Sequence, residues 1–170
     1  GTFVGGHLTF TWKQLNPGEN QYNWSLIDGW LTTLAGEGKA VGLGVHIMEW
    51  GGAQIPDWVY TAGAKKITCG GWPIVKYWDP VFLAKLEKFV QALAARYDSD
   101  PRLEWVQIGT GIYGENQPSI DDHDSCIEAA IKADNPGVDV SGYWVGCINL
   151  ITDMYAKCFH NKSVMLQFAP

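Results

Sequence analysis

Charge is what this 170-residue chain has least of: 18% of it is Asp, Glu, Lys or Arg, and the formal net charge is −6. The 12 Lys and Arg are outnumbered by 18 Asp and Glu, so no basic cluster is left over to meet a phosphate backbone or an anionic lipid surface. Nucleic acid is excluded as a partner class on that ground. Long apolar runs are missing as well. None reaches the roughly 18 residues of a membrane-spanning helix, and no basic stretch followed by an apolar one marks a signal peptide, so membrane insertion is not expected. The four cysteines, Cys69, Cys126, Cys147 and Cys158, form no CxxC pair and have no His at ligand spacing, which argues against a zinc site or a thioredoxin-like motif. One or two disulfides in an exported protein and buried free thiols both remain open. The phosphate loop of a dinucleotide fold is absent too: the first strand runs into Trp12-Lys13-Gln14-Leu15-Asn16-Pro17, and Gly42-x-Gly44 lies inside the second. Asp121, Asp122, His123 and Asp124 lack the alternation and glycine of a calcium loop and read as a solvated acidic turn. No metal and no cofactor are expected. Gly1 stands where a Met would, and an extracellular or cell-surface protein is the expectation.

What is present is apolar and aromatic. Hydrophobic residues make up 46% of the chain, with nine Trp and seven Tyr, enough for a real core in one domain. His7 to Trp12 reads as a strand, closed by a turn through Asn16, Pro17 and Gly18. Ile27, Trp30, Leu31 and Leu34 then share one helical face behind a cap at Asn23 or Ser25. Ala40 to Ile47 is an apolar run of the kind found in a strand covered on both faces. From Glu49 to Trp78 the chain is rich in Gly, Trp and Pro, either a functional loop or a region hiding a further strand. Asp79-Pro80 starts the clearest helix, whose stripe is Leu83, Leu86, Phe89, Val90, Leu93 and Tyr97. Leu103 to Gly109 reads as a buried central strand. Residues 116–142 look like an insertion with a short helix from Ser125 to Ala133. A helix from about Cys147 to Phe159, with Leu150, Ile151, Met154, Tyr155 and Cys158 on its apolar side, leads to a last strand over Ser163 to Phe168. Strand and helix in alternation predict an α/β fold with a parallel sheet. At 170 residues the chain is short for a complete (β/α)8 barrel, so a TIM-type reading implies a partial barrel, its first half.

In such a barrel the C-terminal strand ends converge on one mouth. They would bring together Trp12, then His46, Glu49 and Trp50, then Tyr113 and Glu115, and finally Gln167 and Phe168. Glu115 is the outstanding residue, since a strand runs into Gly109, Gly111 and Gly114 and then presents a carboxylate. Cleaving a glycosidic bond needs one carboxylic acid to protonate the leaving oxygen and a second carboxylate to attack or to activate water. Glu115 suits the first role. Read alone it could equally cap a turn, as His46 could be a packed strand-end histidine and Asp57 a turn stabiliser.

Three segments carry a resemblance. Trp12 to Asp28, with its Trp, its Pro-Gly turn, its aromatic pair Tyr22 and Trp24 and its Ile27-Asp28 helix opening, resembles the first βα turn of family 42-like β-galactosidases of glycoside hydrolase clan A. Pro56-Asp57-Trp58 resembles the loop after their second strand, and Arg96 to Pro101 the helix end before their acid/base strand. The resemblance implies a carbohydrate-active TIM-type barrel, a retaining O-glycosidase, with Glu115 as general acid/base. It implies sugar contacts from Trp12, His46, Glu49, Trp50, Trp58, Tyr113 and Asn116. In these families Asn precedes the acid/base, where this chain has Gly114, and Gly-Glu is closer to related bacterial exported barrel domains. The nucleophile of the clan comes from a later strand, so this chain alone is expected not to turn over substrate. The remaining half of its own barrel or a second copy is the expected protein partner. The alternative is an exported glycan-binding or surface protein that keeps the barrel without catalysis.

Overall fold

A computed structural model describes residues 5–169. The chain runs β1 (Gly5–Thr11), α1 (Trp12–Leu15), α2 (Trp24–Gly36), β2 (Ala40–His46), β3 (Met48–Glu49), β4 (Gly52–Ala53), α3 (Asp57–Thr61), β5 (Lys66–Cys69), β6 (Trp72–Val75), α4 (Pro80–Tyr97), β7 (Leu103–Gln107), a 3-10 turn (Asp121–His123), α5 (Asp124–Asp134), α6 (Val140–Cys158) and β8 (Ser163–Met165). Four strands pair in parallel in the order β1-β2-β7-β8. Every crossover between them contains a helix. Strand neighbours in chain order, with helices between, are the pattern of a barrel wall rather than of a doubly wound sheet, whose order reverses at a switch point. The fold is therefore a partial TIM-type barrel, as the sequence predicts.

The two faces of this sheet differ because side chains alternate. Val41, Leu43, Val45 and Val106 are buried in one core with Ile27 and Leu31 of α2, Leu86, Phe89 and Leu93 of α4, and Ile151 and Tyr155 of α6. The opposite face would line the barrel interior. It carries exposed His7, Thr9 and Met165, with the His7 ring 4.6 Å from that of Trp105. A Cβ at Gly42 would overlap the Trp105 ring, so glycine is what lets that indole lie across the strand.

The helices start where the sequence supplies caps. Asp79 accepts hydrogen bonds at 2.9 Å from the N–H groups of Val81 and Phe82, with Pro80 in the first turn of α4. Asp139 caps α6 by accepting from Gly142 N–H, so that helix begins at Val140, well ahead of the predicted Cys147. Gly142 and Gly146 mask its first two turns from a periodicity argument. Two side chains assigned to apolar faces point elsewhere: Trp30 of α2 and Leu150 of α6 are exposed. Between Glu49 and Trp78 lie the short antiparallel hairpins β3–β4 and β5–β6 and the helix α3, not a barrel strand. No helix among the described residues is long and apolar enough to cross a membrane.

Of the open possibilities for cysteine, the structure has one disulfide and two thiols. Cys69 at the end of β5 is bonded to Cys126 in α5, across 57 residues of sequence. Replacing both by Ser is expected to cost about 4 kcal/mol in the loop-entropy picture, read as a lower denaturant midpoint than that of the oxidised parent. Cys147 is buried, and burial pushes its thiol up to about 11. With so little thiolate at pH 8, Cys147 should stay unmodified by iodoacetamide in the folded protein and react once it is unfolded, as intact mass would show.

Candidate active site

The strand-end mouth is built from the segments that follow β2, β7 and β8. After β7 the chain does not run straight out. Thr110 N–H bonds back to Ile108 carbonyl, Ile112 N–H to Gln117 carbonyl, and Tyr113 N–H to Met48 carbonyl, which folds 108–117 into a tight loop against β3. Thr110 Oγ1, fully buried, donates to Glu115 carbonyl at 2.6 Å and fixes the backbone under the carboxylate. Gly114 has φ +80, and a Cβ there would sit 2.6 Å from Gln107 Nε2. Any side chain before Glu115, Asn included, would require the Gln107 amide to shift.

Glu115 is half-buried, and its Oε1 accepts a hydrogen bond at 2.8 Å from Gln167 Nε2. Gln167 is paired with Glu115 through an isolated parallel bridge just past the end of β8. Its own Oε1 accepts at 2.9 Å from Gln107 Nε2, which also donates to Tyr113 carbonyl at 3.1 Å. Gln107 is buried and its Oε1 has no partner, so the amide's orientation is set by those two donated bonds. The chain of amides Gln107–Gln167 ends on the Glu115 carboxylate and aims an N–H at it. Sequence reading placed Gln167 at the mouth without a role and did not single out Gln107. The signal was present in the period-2 alternation, which puts both on the inner face.

Beside it, His46 Nδ1 lies 2.8 Å from Glu49 Oε1, and the Tyr113 ring stands edge-on to the His46 ring at 5.8 Å. Tyr113 is a non-glycine residue with positive φ, +51, a sparsely populated region for an aromatic residue. Its hydroxyl accepts from Trp50 N–H at 3.1 Å. His46, Glu49, Tyr113 and Trp50 are thus linked by direct contacts, and Gln107 and Gln167 connect them to Glu115.

The other three expected sugar contacts are placed differently. Trp12 is wholly buried: a capping box between Thr11 and Gln14 turns the chain into α1 right after β1. Its indole lies in the helix layer, on the side of β1 that carries Leu8 and Phe10, where it packs on Trp58, Phe82 and Phe89 and donates its N–H to Asn16 Oδ1. Trp58, on α3, donates its own indole N–H to Asn16 carbonyl and lies under Lys85, as part of the same packing. Asn116 adjoins Glu115, but its Oδ1 accepts from Ala169 N–H and its carbonyl from Trp144 Nε1, so it ties the loop to the segment after β8 and to α6. Asp57 pairs with Lys13 at 3.0 Å on the surface, where the bond is worth little.

Comparisons with known proteins agree with this architecture. The β-galactosidase of Marinomonas ef1 superposes with a TM-score of 0.60 at 11% identity, over 95% of this chain and 32% of that one. GH5_18 of Bifidobacterium longum subsp. longum gives 0.54 at 16% identity, over 94% of this chain and 34% of that one. A variant of the latter, solved in complex with Manβ1-4GlcNAc, gives 0.55. At such identities the likeness carries the fold, and this chain spans about a third of the length of those structures. No curated protein matches the chain. The family model described as beta-galactosidase, glycoside hydrolase 42, matches residues 7–129. The chain therefore belongs to the family 42 glycoside hydrolases, the beta-galactosidase family, and folds as four adjacent strands of a TIM-type barrel.

Proposed function

We propose that this chain forms the acid/base side of a glycosidase that cleaves O-glycosidic bonds of a carbohydrate, with Glu115 as the general acid/base. The observation that carries the reading is the Glu115 carboxylate at a strand-end mouth, with one oxygen held by Gln167 and its backbone locked by Thr110. Protonated, such a group gives its proton to the leaving oxygen. Ionised, it takes one from the incoming water. A retaining reaction needs a second carboxylate about 5 to 5.5 Å away. Glu49, the other carboxylate on this part of the ring, is already paired with His46, so the nucleophile is assigned to a strand outside these 170 residues.

A closed barrel needs further strands in any case, because β1 and β8 are the two edges of the sheet and each pairs on one side among the described residues. The remaining strands of its own barrel are the partner this proposal favours over a second copy. The Cys69–Cys126 disulfide supports an extracellular or cell-surface location. Glycan binding without turnover is the second reading, and the pairing of Glu49 with His46 is the observation on its side. The test is hydrolysis of β-linked galactosides by the protein with its barrel complete, beside its Glu115→Gln variant. Equal rates would overturn the assignment of Glu115, and no hydrolysis by the parent would favour the binding reading.

A further inference from the structure

We infer that the rim of this mouth holds a second sugar subsite, with Trp50 as its platform and Asp121 and Asp122 as its hydroxyl acceptors, so that the substrate is an oligosaccharide chain. The inference deepens the proposed carbohydrate reading and rests on it. Trp50 is 71% exposed, an unusual state for an indole on the surface of a folded domain. It lines a shallow, open cleft with Gln117, Ile120, Asp121 and Asp122.

The cleft adjoins the loop that carries Glu115. Gln117 is two residues beyond Glu115, and Trp50 N–H is bonded to the hydroxyl of Tyr113. A chain with its scissile bond at Glu115 would pass over Trp50 with its next units.

The exposed ring is held, not loose. The Trp50 and Trp72 rings lie edge to face with centroids 4.9 Å apart, and Trp72 and His123 do the same at 5.0 Å. His123 is buried, with its Nδ1 2.8 Å from Ser119 Oγ, and it closes the 3-10 turn that carries Asp121 and Asp122. The disulfide from Cys69 to Cys126 joins the hairpin bearing Trp72 to the helix that follows those aspartates. Both walls are thereby tied to each other through one aromatic stack and one covalent bond.

The chemistry of the cleft selects the occupant. A pyranose presents an apolar C–H face that lies on an indole, and equatorial hydroxyls that donate to carboxylates. An apolar peptide would leave Asp121 and Asp122 desolvated without partners, and an anionic ligand would meet like charge.

Isothermal titration with galacto-, manno- and gluco-oligosaccharides of increasing length tests this, using the complete-barrel protein with Glu115→Gln, alone and with Trp50→Ala added. In at least one series affinity should rise by about tenfold once the chain is long enough to reach Trp50, and Trp50→Ala should abolish that increment. Asp121→Asn with Asp122→Asn should reduce it. Because Trp50 is exposed, an unchanged melting curve will show that the variant is folded. No increment in any series, or an increment that survives Trp50→Ala, overturns the subsite. An increment without turnover by the parent would retain the subsite and reject the hydrolase reading, so the two failures are distinguishable.

Discussion

In the protein with its barrel complete, Glu115→Gln should lower turnover of an unactivated disaccharide by about 10²- to 10⁴-fold, the usual contribution of a positioned general acid/base. The substitution is isosteric, and the oxygen that accepts from Gln167 Nε2 can be kept, so the folded state should be nearly unaffected. The loss has a signature beyond its size. A p-nitrophenolate leaving group departs without a proton, so bond cleavage in aryl glycosides should suffer much less than in disaccharides, whose leaving alkoxide needs one. Removing the carboxylate altogether, as Glu115→Ala, should leave room for added azide to attack the glycosyl-enzyme without base assistance and restore aryl glycoside turnover. Initial rates on the two substrate types, with and without azide, are the measurement. Equal losses on both types and no azide rescue would mean that Glu115 acts on structure and not on the proton.

The second large effect concerns stability. Trp12→Ala should destabilise the fold by about 3–5 kcal/mol, as expected for removing a fully buried indole. The ring contacts Trp58, Phe82 and Phe89, so its loss opens a cavity where α1, α3 and α4 meet. Asn16 also loses the donor to its Oδ1, which adds the cost of an unsatisfied buried acceptor. Chemical denaturation should show a lower midpoint with little change in slope. Trp50→Ala, at an exposed position, should stay within about 0.5 kcal/mol of the parent. A similar cost at both positions would contradict the division of these two indoles between core and surface.

That contrast marks how far residue type and spacing reach. Trp12 and Trp50 both follow barrel strands, and both were expected to meet sugar. The expectation for Trp12 failed because it lies on the same side of β1 as Leu8 and Phe10, opposite His7 and Thr9, and the Thr11–Gln14 capping box starts α1 there and keeps the ring in the helix layer. The strand's alternation already carried that signal. Trp58 and Asn116 were displaced from the expected surface for a different reason, since each is bonded to groups distant in sequence, Asn16 for one and Trp144 and Ala169 for the other. The α6 start was missed because two glycines interrupt its pattern, although its cap, Asp139, is a standard one.

The local and the long-range parts of the molecule separate cleanly. Alternation of apolar strands with amphipathic helices, the Asp79-Pro80 cap, the buried run from Ala40 and the glycine-rich approach to Glu115 are properties of neighbouring residues, and from them alone the sequence determined a parallel α/β barrel wall. Only the tertiary structure decided which of Trp12 and Trp50 is exposed, that Cys69 pairs with Cys126, and that Gln107 and Gln167 hold the Glu115 carboxylate. Those are contacts between residues about 50 to 60 positions apart, set by how the strands and loops pack, and short-range periodicity carries no record of them.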